Sequence, residues 1–336
     1  GTQYEIGGEV IETYIASSSA SLKTRTVSFT IGVITNDVTA TGTDYTSSTT
    51  VYFAESGVSI KKAWLRIIPV GDDASGAHTV SVKTKVGSNS QSSALSYSQD
   101  PGGVIIIQMS KIYHVIPSSD YSELAAATAT SGKTVEVAVQ ASNTEIDGIS
   151  AELMITYTYT GESYGYLSSH QIYAGQSSTA GNSQSETLTT AASVLSESTD
   201  AKTIRAAALR ASYAASESTN NMLQSDNFTV DANLSTGTPS CSNAYVSSTD
   251  LANSFFEFYK DVSSGMTAYN GWTYSACYTN NGASDAETGA KMNGILIYTY
   301  QLDLRPPSDP EMIRIKGNTR IKGGTRLNLE DSQQKI

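Results

Sequence analysis

Charge is the first thing this sequence has little of. Only 16% of its 336 residues are Asp, Glu, Lys or Arg, against roughly 25% in ordinary soluble domains. Positive charge is the scarcer sign: 21 Lys and Arg stand against 32 Asp and Glu, a formal charge of −11. A nucleic-acid-binding body needs a basic footprint on the phosphates, so that partner class is excluded. Long apolar runs are missing as well. The richest, GGVIIIQM at 102–109, falls far short of the ~20 residues that a bilayer-spanning helix requires. The sequence therefore predicts no membrane insertion, and no pilin-like assembly through a long apolar helix.

Residues that usually carry chemistry are sparse. The three histidines, His78, His114 and His170, stand alone in sequence, with none of the HxH or HxxxH spacings of metal pairs. They read as surface or half-buried side chains. The two cysteines, Cys241 and Cys277, lie 36 residues apart, a spacing that suits no metal site. A disulfide between them and a pair of buried thiols both remain open. There is no G-x-S-x-G elbow, P-loop, G-x-G-x-x-G fingerprint or Cys/His nucleophile pattern. Asp72 and Asp73, and Asp226 and Asp231, sit in turn-like stretches. The twelve-residue calcium loop with its glycine and closing glutamate is absent, so these are read as solvated turns. The expectation is a non-enzymatic chain without cofactor or metal. The sequons at Asn227 and Asn233 would matter only in a glycosylating secretory pathway.

What the sequence does have is Ser, Thr, Ala, Gly and an excess of tyrosine, 20 against six phenylalanines. Such a composition suits strands kept soluble by hydroxyls. Segments 24–35, 49–55, 59–70, 78–86, 103–109, 133–142 and 149–160 are β-rich. Several alternate at period two, the mark of a strand with one buried face. Val80 and Val82 oppose Lys83 and Lys85, and Val135, Val137 and Val139 oppose Glu136 and Ala138. Gly/Asn/Ser/Asp clusters separate the runs as turns should. YSELAAATA (121–129) is the only short helix candidate.

The second half repeats the first. SIKKAWLRI (59–67) matches TIRAAALRA (203–211), aligning Ile60 with Ile204, Lys61 with Arg205 and Leu65 with Leu209. LMITYTY (153–159) matches GILIYTY (294–300) in the same order. The fold expected is all-β: two tandem antiparallel β-sandwich domains, jelly-roll-like or Ig-like, with length and loop spacing favouring the jelly roll. The boundaries read as an N-terminal arm (1–20), a first sandwich (21–160), a second (161–304), a Pro-rich linker (305–312) and a basic tail (313–336). The join near 160–166 is short, which predicts a fixed relation between the two units.

The tail is the sharpest anomaly. Its basic side chains outnumber Glu330 and Asp331 to give +4, leaving −15 on the rest of the chain. Ile315, Ile321 and Leu327 recur every six residues, flanked by Arg314, Lys316, Arg320 and Lys322. One such stretch cannot bury its apolar side alone. It would stack with other tails as a solenoid rung or add a strand to a neighbour's sheet edge; a disordered basic tail is the bland alternative. The function expected is a structural subunit of a filament, surface layer, capsid or spike, extracellular or in a virion. Its partners would be other copies of the chain and other assembly subunits. The rival is a carbohydrate-binding or adhesive module for surface glycans, with Trp272 stacking on sugars and Trp64 assigned to the core.

Overall fold

The computed structural model describes residues 3–6, 9–12, 22–71, 78–99, 109–144, 146–162, 165–179, 183–189, 201–214, 228–234, 246–248, 255–265, 273–280 and 290–303. The chain is all-β and antiparallel. It opens with a hairpin inside the expected N-terminal arm, β1 (Gln3–Ile6) with β2 (Glu9–Glu12). Eight strands follow: β3 (Lys23–Thr35), β4 (Tyr45–Val51), β5 (Ser59–Gly71), β6 (His78–Val86), β7 (Leu95–Gln99), β8 (Ile112–Val115), β9 (Lys133–Ala141) and β10 (Ile146–Tyr159). One short helix, α1 (Tyr121–Ala125), fills the β8–β9 connection, inside the segment that the sequence marked as helical.

These eight strands form two sheets, β3-β10-β5-β8 and β4-β9-β6-β7. The pairing is nested: β6 with β7, β5 with β8, β4 with β9 and β3 with β10. One long antiparallel ribbon has been folded over on itself. Alternation explains how it closes. Val27, Phe29 and Ile31 of β3 and Ala63, Leu65 and Ile67 of β5 meet Val80 and Val82 of β6 and Val135, Val137 and Val139 of β9 in one buried cluster. The two sheets are a β-sandwich around that core, the usual solution for two half-apolar sheets.

A further eight strands follow: β11 (Gly165–Thr179), β12 (Ser183–Thr189), β13 (Ala201–Ala214), β14 (Phe228–Leu234), β15 (Val246–Ser248), β16 (Phe255–Asp261), β17 (Thr273–Asn280) and β18 (Ala290–Asp303). Their sheets run β11-β18-β13-β16 and β12-β17-β14-β15. Position for position this is the order of the first eight. The resemblance reaches a detail. Between β5 and β10, Ile60 faces Tyr157 and Lys62 faces Thr156, leaving Lys61 unpaired in a bulge. Between β13 and β18, Ile204 faces Tyr300 and Ala206 faces Thr299, leaving Arg205 unpaired. Lys61 and Arg205 are the residues that the sequence match aligned. Through the bulge Tyr157 corresponds to Tyr300 rather than to Tyr298, a slip of two that keeps every side chain on its face.

The bulge also corrects one sequence expectation. It carries Ala63, Leu65 and Ile67 inward, so Trp64 turns out of the core and lies half-buried on the opposite face. Two histidines are corrected in the other sense. His78 belongs to the inward row of Val80 and Val82, and His114 faces the core opposite Leu65, so both rings are fully buried.

Candidate functional site

The outer face of sheet β3-β10-β5-β8 is not a solvent face over most of its width. β3 touches all four strands of sheet β11-β18-β13-β16, and β16 in turn touches β3, β10 and β5. The meeting surface is made of small hydroxyls. The Ser28 N–H donates to Ser169 Oγ at 3.0 Å, Ser169 Oγ lies 2.5 Å from Thr299 Oγ1, and Thr299 returns a hydrogen bond to the Ser28 carbonyl. The Tyr259 N–H donates to Ser150 Oγ at 2.9 Å. Gly32 adopts φ +75, and a Cβ there would stand 3.2 Å from the Asp261 backbone nitrogen. A side chain there would crowd Asp261 and strain the positive-φ backbone, both of which glycine avoids.

Charged groups sit within this seam. Glu152 is 3% exposed and accepts hydrogen bonds from Ser28 Oγ and the Tyr259 phenol. Arg66 donates to Tyr259 OH at 2.9 Å, and Lys111 lies 2.7 Å from the Glu257 carboxylate. Burial, with the Glu152 charge beside it, drives the Tyr259 phenol far above its usual value, so it stays a donor. Arg205, thrown outward by its bulge, reaches the Ala129 carbonyl at 2.6 Å and lies 4.1 Å over the Tyr52 ring. Re-aiming one side chain in this way is what a bulge does.

A second cluster pins the join between the halves. The Glu55 side chain is fully buried and accepts from Tyr157 OH at 2.9 Å and from the Leu167 N–H at 2.8 Å. Arg25 lies 3.4 Å from the same oxygen, donates to the Leu167 carbonyl and pairs with Glu162 at 2.7 Å. Its guanidinium lies 5.2 Å from the Tyr159 ring centre and 5.0 Å from that of Tyr166. Burial opposes the Arg25 charge, but the Tyr159 hydrogen bond and nearby negative groups outweigh it and hold the pKa above the ordinary value. The hydrogen bond from Tyr159 and the charges of Lys23 and Arg25 hold Glu162 below the usual carboxylate range.

Among the described residues that outer face is open beside Thr26, Thr156 and Lys62 and, with its large apolar side chains, at β8. This strand ends its sheet, and Tyr113 and Val115 are 55% and 48% exposed. Trp64 lies opposite Val115, and its ring is 5.6 Å from that of Tyr113. Leu95, at the start of the edge strand β7, is exposed too. Tyr97 of β7 and His114 of β8 bridge the two sheets through OH···Nδ1 at 3.0 Å, and burial lowers the His114 pKa. Beside this bridge lies a cavity of about 370 Å³, lined by the serines of 90–93, His114 and Asp120 together with Leu95, Val115 and Pro117. Asn89 donates to the Asp120 carboxylate at 2.7 Å.

The residues singled out from sequence fall elsewhere. Cys277 belongs to β17, where its backbone pairs with Ser185 and Asp231. Cys241, Trp272 and the whole tail with Arg314, Ile315, Lys316, Arg320, Ile321, Lys322 and Leu327 lie outside the described residues, as do Asp72, Asp73 and Asp226. Among the described residues no three His, Cys, Asp or Glu side chains are grouped to hold a metal, and no helix is long and apolar enough to cross a membrane. The seam residues escaped sequence reasoning. Their one signal was that polar rows on otherwise apolar strands were short hydroxyls rather than long charges.

No protein-family profile matches the chain, and a comparison with curated proteins finds no match. Among solved structures it is similar to PNGase F, a glycosylasparaginase from Flavobacterium meningosepticum, at 13% identity and a TM-score of 0.23 over 82% of this chain and 96% of that one. It is also similar to a structure of infectious bursal disease virus, Gx strain, at 11% identity and TM-score 0.22, over 86% and 73% of the two chains. For a broad bean stain virus structure the values are 8% and 0.22, over 87% and 94%. Scores this low assign neither a family nor an activity.

Proposed function

We propose that the chain is a non-enzymatic structural subunit of an extracellular or virion assembly, built from two tandem jelly rolls and joined to other copies through its ends. Nested pairing of eight strands into two four-stranded sheets is the jelly-roll order, and the same order and the same bulge in both halves support a duplication. The observation that carries the reading is the seam. Hydrogen bonds from β3, β5 and β10 to β11, β16 and β18 tie the two halves into one block, while β8 keeps an open edge among the described residues. A block with an open edge and a patterned tail is a building unit.

The test is the assembly itself. Full-length protein should sediment as defined oligomers or polymers, and removal of 305–336 should leave monomers of unchanged fold. Monomers before and after the deletion would refute the reading. A second reading, a glycan-binding module, draws on the half-buried Trp64 beside exposed Tyr113. It requires glycan binding that Trp64→Ala or Trp272→Ala removes.

A further inference from the structure

We propose that the free edge of β8 is the docking site for the MIRIKG segment, residues 312–317, of a second copy, which adds there as an antiparallel or parallel strand. The inference rests on the assembly reading and names the surface it uses.

Among the described residues β8 has a strand neighbour on one side only. The Ile116 N–H donates to the Ala63 carbonyl. Backbone groups alternate sides along an extended strand, so the N–H and C=O groups of Tyr113 and Val115 point away from β5. They form the template that an incoming strand requires. The two faces of this edge differ in kind. Outward lie Tyr113, Val115 and Trp64, an apolar row. Inward, beside His114, lies the cavity with its serine hydroxyls and the Asp120 carboxylate.

The segment MIRIKG has the matching alternation. Ile313 and Ile315 share one face, and Arg314 and Lys316 share the other. Seated with the isoleucines against Tyr113 and Val115, it turns its cations toward Asp120 and the serines. The opposite seating would set the tail's cations beside Arg66, opposite Tyr113, and Lys62, over the Trp64 ring, so charge selects one face. Charge favours the encounter on the larger scale too, a +4 tail meeting a −15 body. The segment follows the end of β18 at Asp303 by eight residues or so, and the Pro-rich stretch between them suits a spacer.

The experiment uses the chain lacking 305–336 with an acetylated 312–323 peptide as probe, and in parallel the full chain. The informative variant is Val115→Pro. It removes one outward N–H and leaves the ladder to β5 intact, since an edge strand tolerates proline where its N–H faces away from the sheet. We expect the peptide to bind the truncated protein and Val115→Pro to weaken binding by about tenfold, the loss of one strand hydrogen bond with its neighbours. Val115→Pro should also block assembly of the full chain. Should the substitution disturb folding, a peptide N-methylated at alternate amides supplies the same test on unaltered protein. If the tail deletion stops assembly while Val115→Pro assembles normally, the docking site is wrong and the assembly reading stands. If the deletion itself leaves assembly intact, the assembly reading falls and this inference with it.

Discussion

Arg25 shows how much one side chain holds in this molecule. It meets Glu55 from the β4–β5 connection, Tyr159 from β10, Glu162 from the join and Leu167 from β11. Taking it away leaves the Glu55 side chain, which has no exposed surface, without its cation. Arg25→Met should therefore cost about 3–5 kcal/mol, as when a buried pair loses one partner, and Arg25→Met with Glu55→Gln should recover part of it. Denaturant midpoints of the single and double variants check both statements. His114 makes a prediction of a different kind. Burial lowers its pKa from 6.5, so the folded state takes up its proton less readily than the unfolded chain. Its contribution to stability is present above about pH 6.5 and is lost as the pH falls from there toward the folded value. His170 is shifted the same way by burial. His114→Gln should thus shrink the acid limb of stability between about pH 7 and pH 5 without abolishing it. An unchanged limb would mean that His114 does not stay neutral in the fold.

At the scale of the element, the two bulges make a paired experiment. Arg205 and Lys61 occupy equivalent places, but only Arg205 reaches across to Tyr52 and Ala129, whereas Lys61 is exposed. Arg205→Ala should lose about 2 kcal/mol, a charged hydrogen bond with a cation–π contact. Lys61→Ala should stay within about 0.5 kcal/mol of the parent. Thermal unfolding of the two variants side by side decides it. Strands were the most legible part of the sequence where alternation was strong. His78–Val86 and Lys133–Ala141 follow the period-two rows closely. Leu95–Gln99 and Ile112–Val115 went unread. They are short edge strands, and pairing defines them more than any apolar pattern. Trp64 was misassigned because a bulge, invisible in the sequence, reverses parity after Lys61.

For the whole molecule, two short sequence matches pointed to a repeat, and the strand orders of the two halves run alike. Which faces of the halves meet was not legible in the sequence. Ser28, Thr30, Ser150 and Glu152 stand opposite the apolar rows of β3 and β10 and read as a solvent row, yet all but the first are nearly or fully buried. They are buried because the second half lays a sheet across them, and hydroxyls satisfy the backbone groups on both sides. No pattern within one strand encodes that covering. The tail lies outside the described residues, so its role rests on the spacing of Ile315, Ile321 and Leu327 and on the open edge at β8. The most direct measurement is sedimentation and electron microscopy of full-length chain beside chain lacking 305–336. Defined particles or filaments that disappear with the deletion, from a block whose circular dichroism is unchanged, are the predicted result. Monomers in both samples, or the same particles in both, would contradict it.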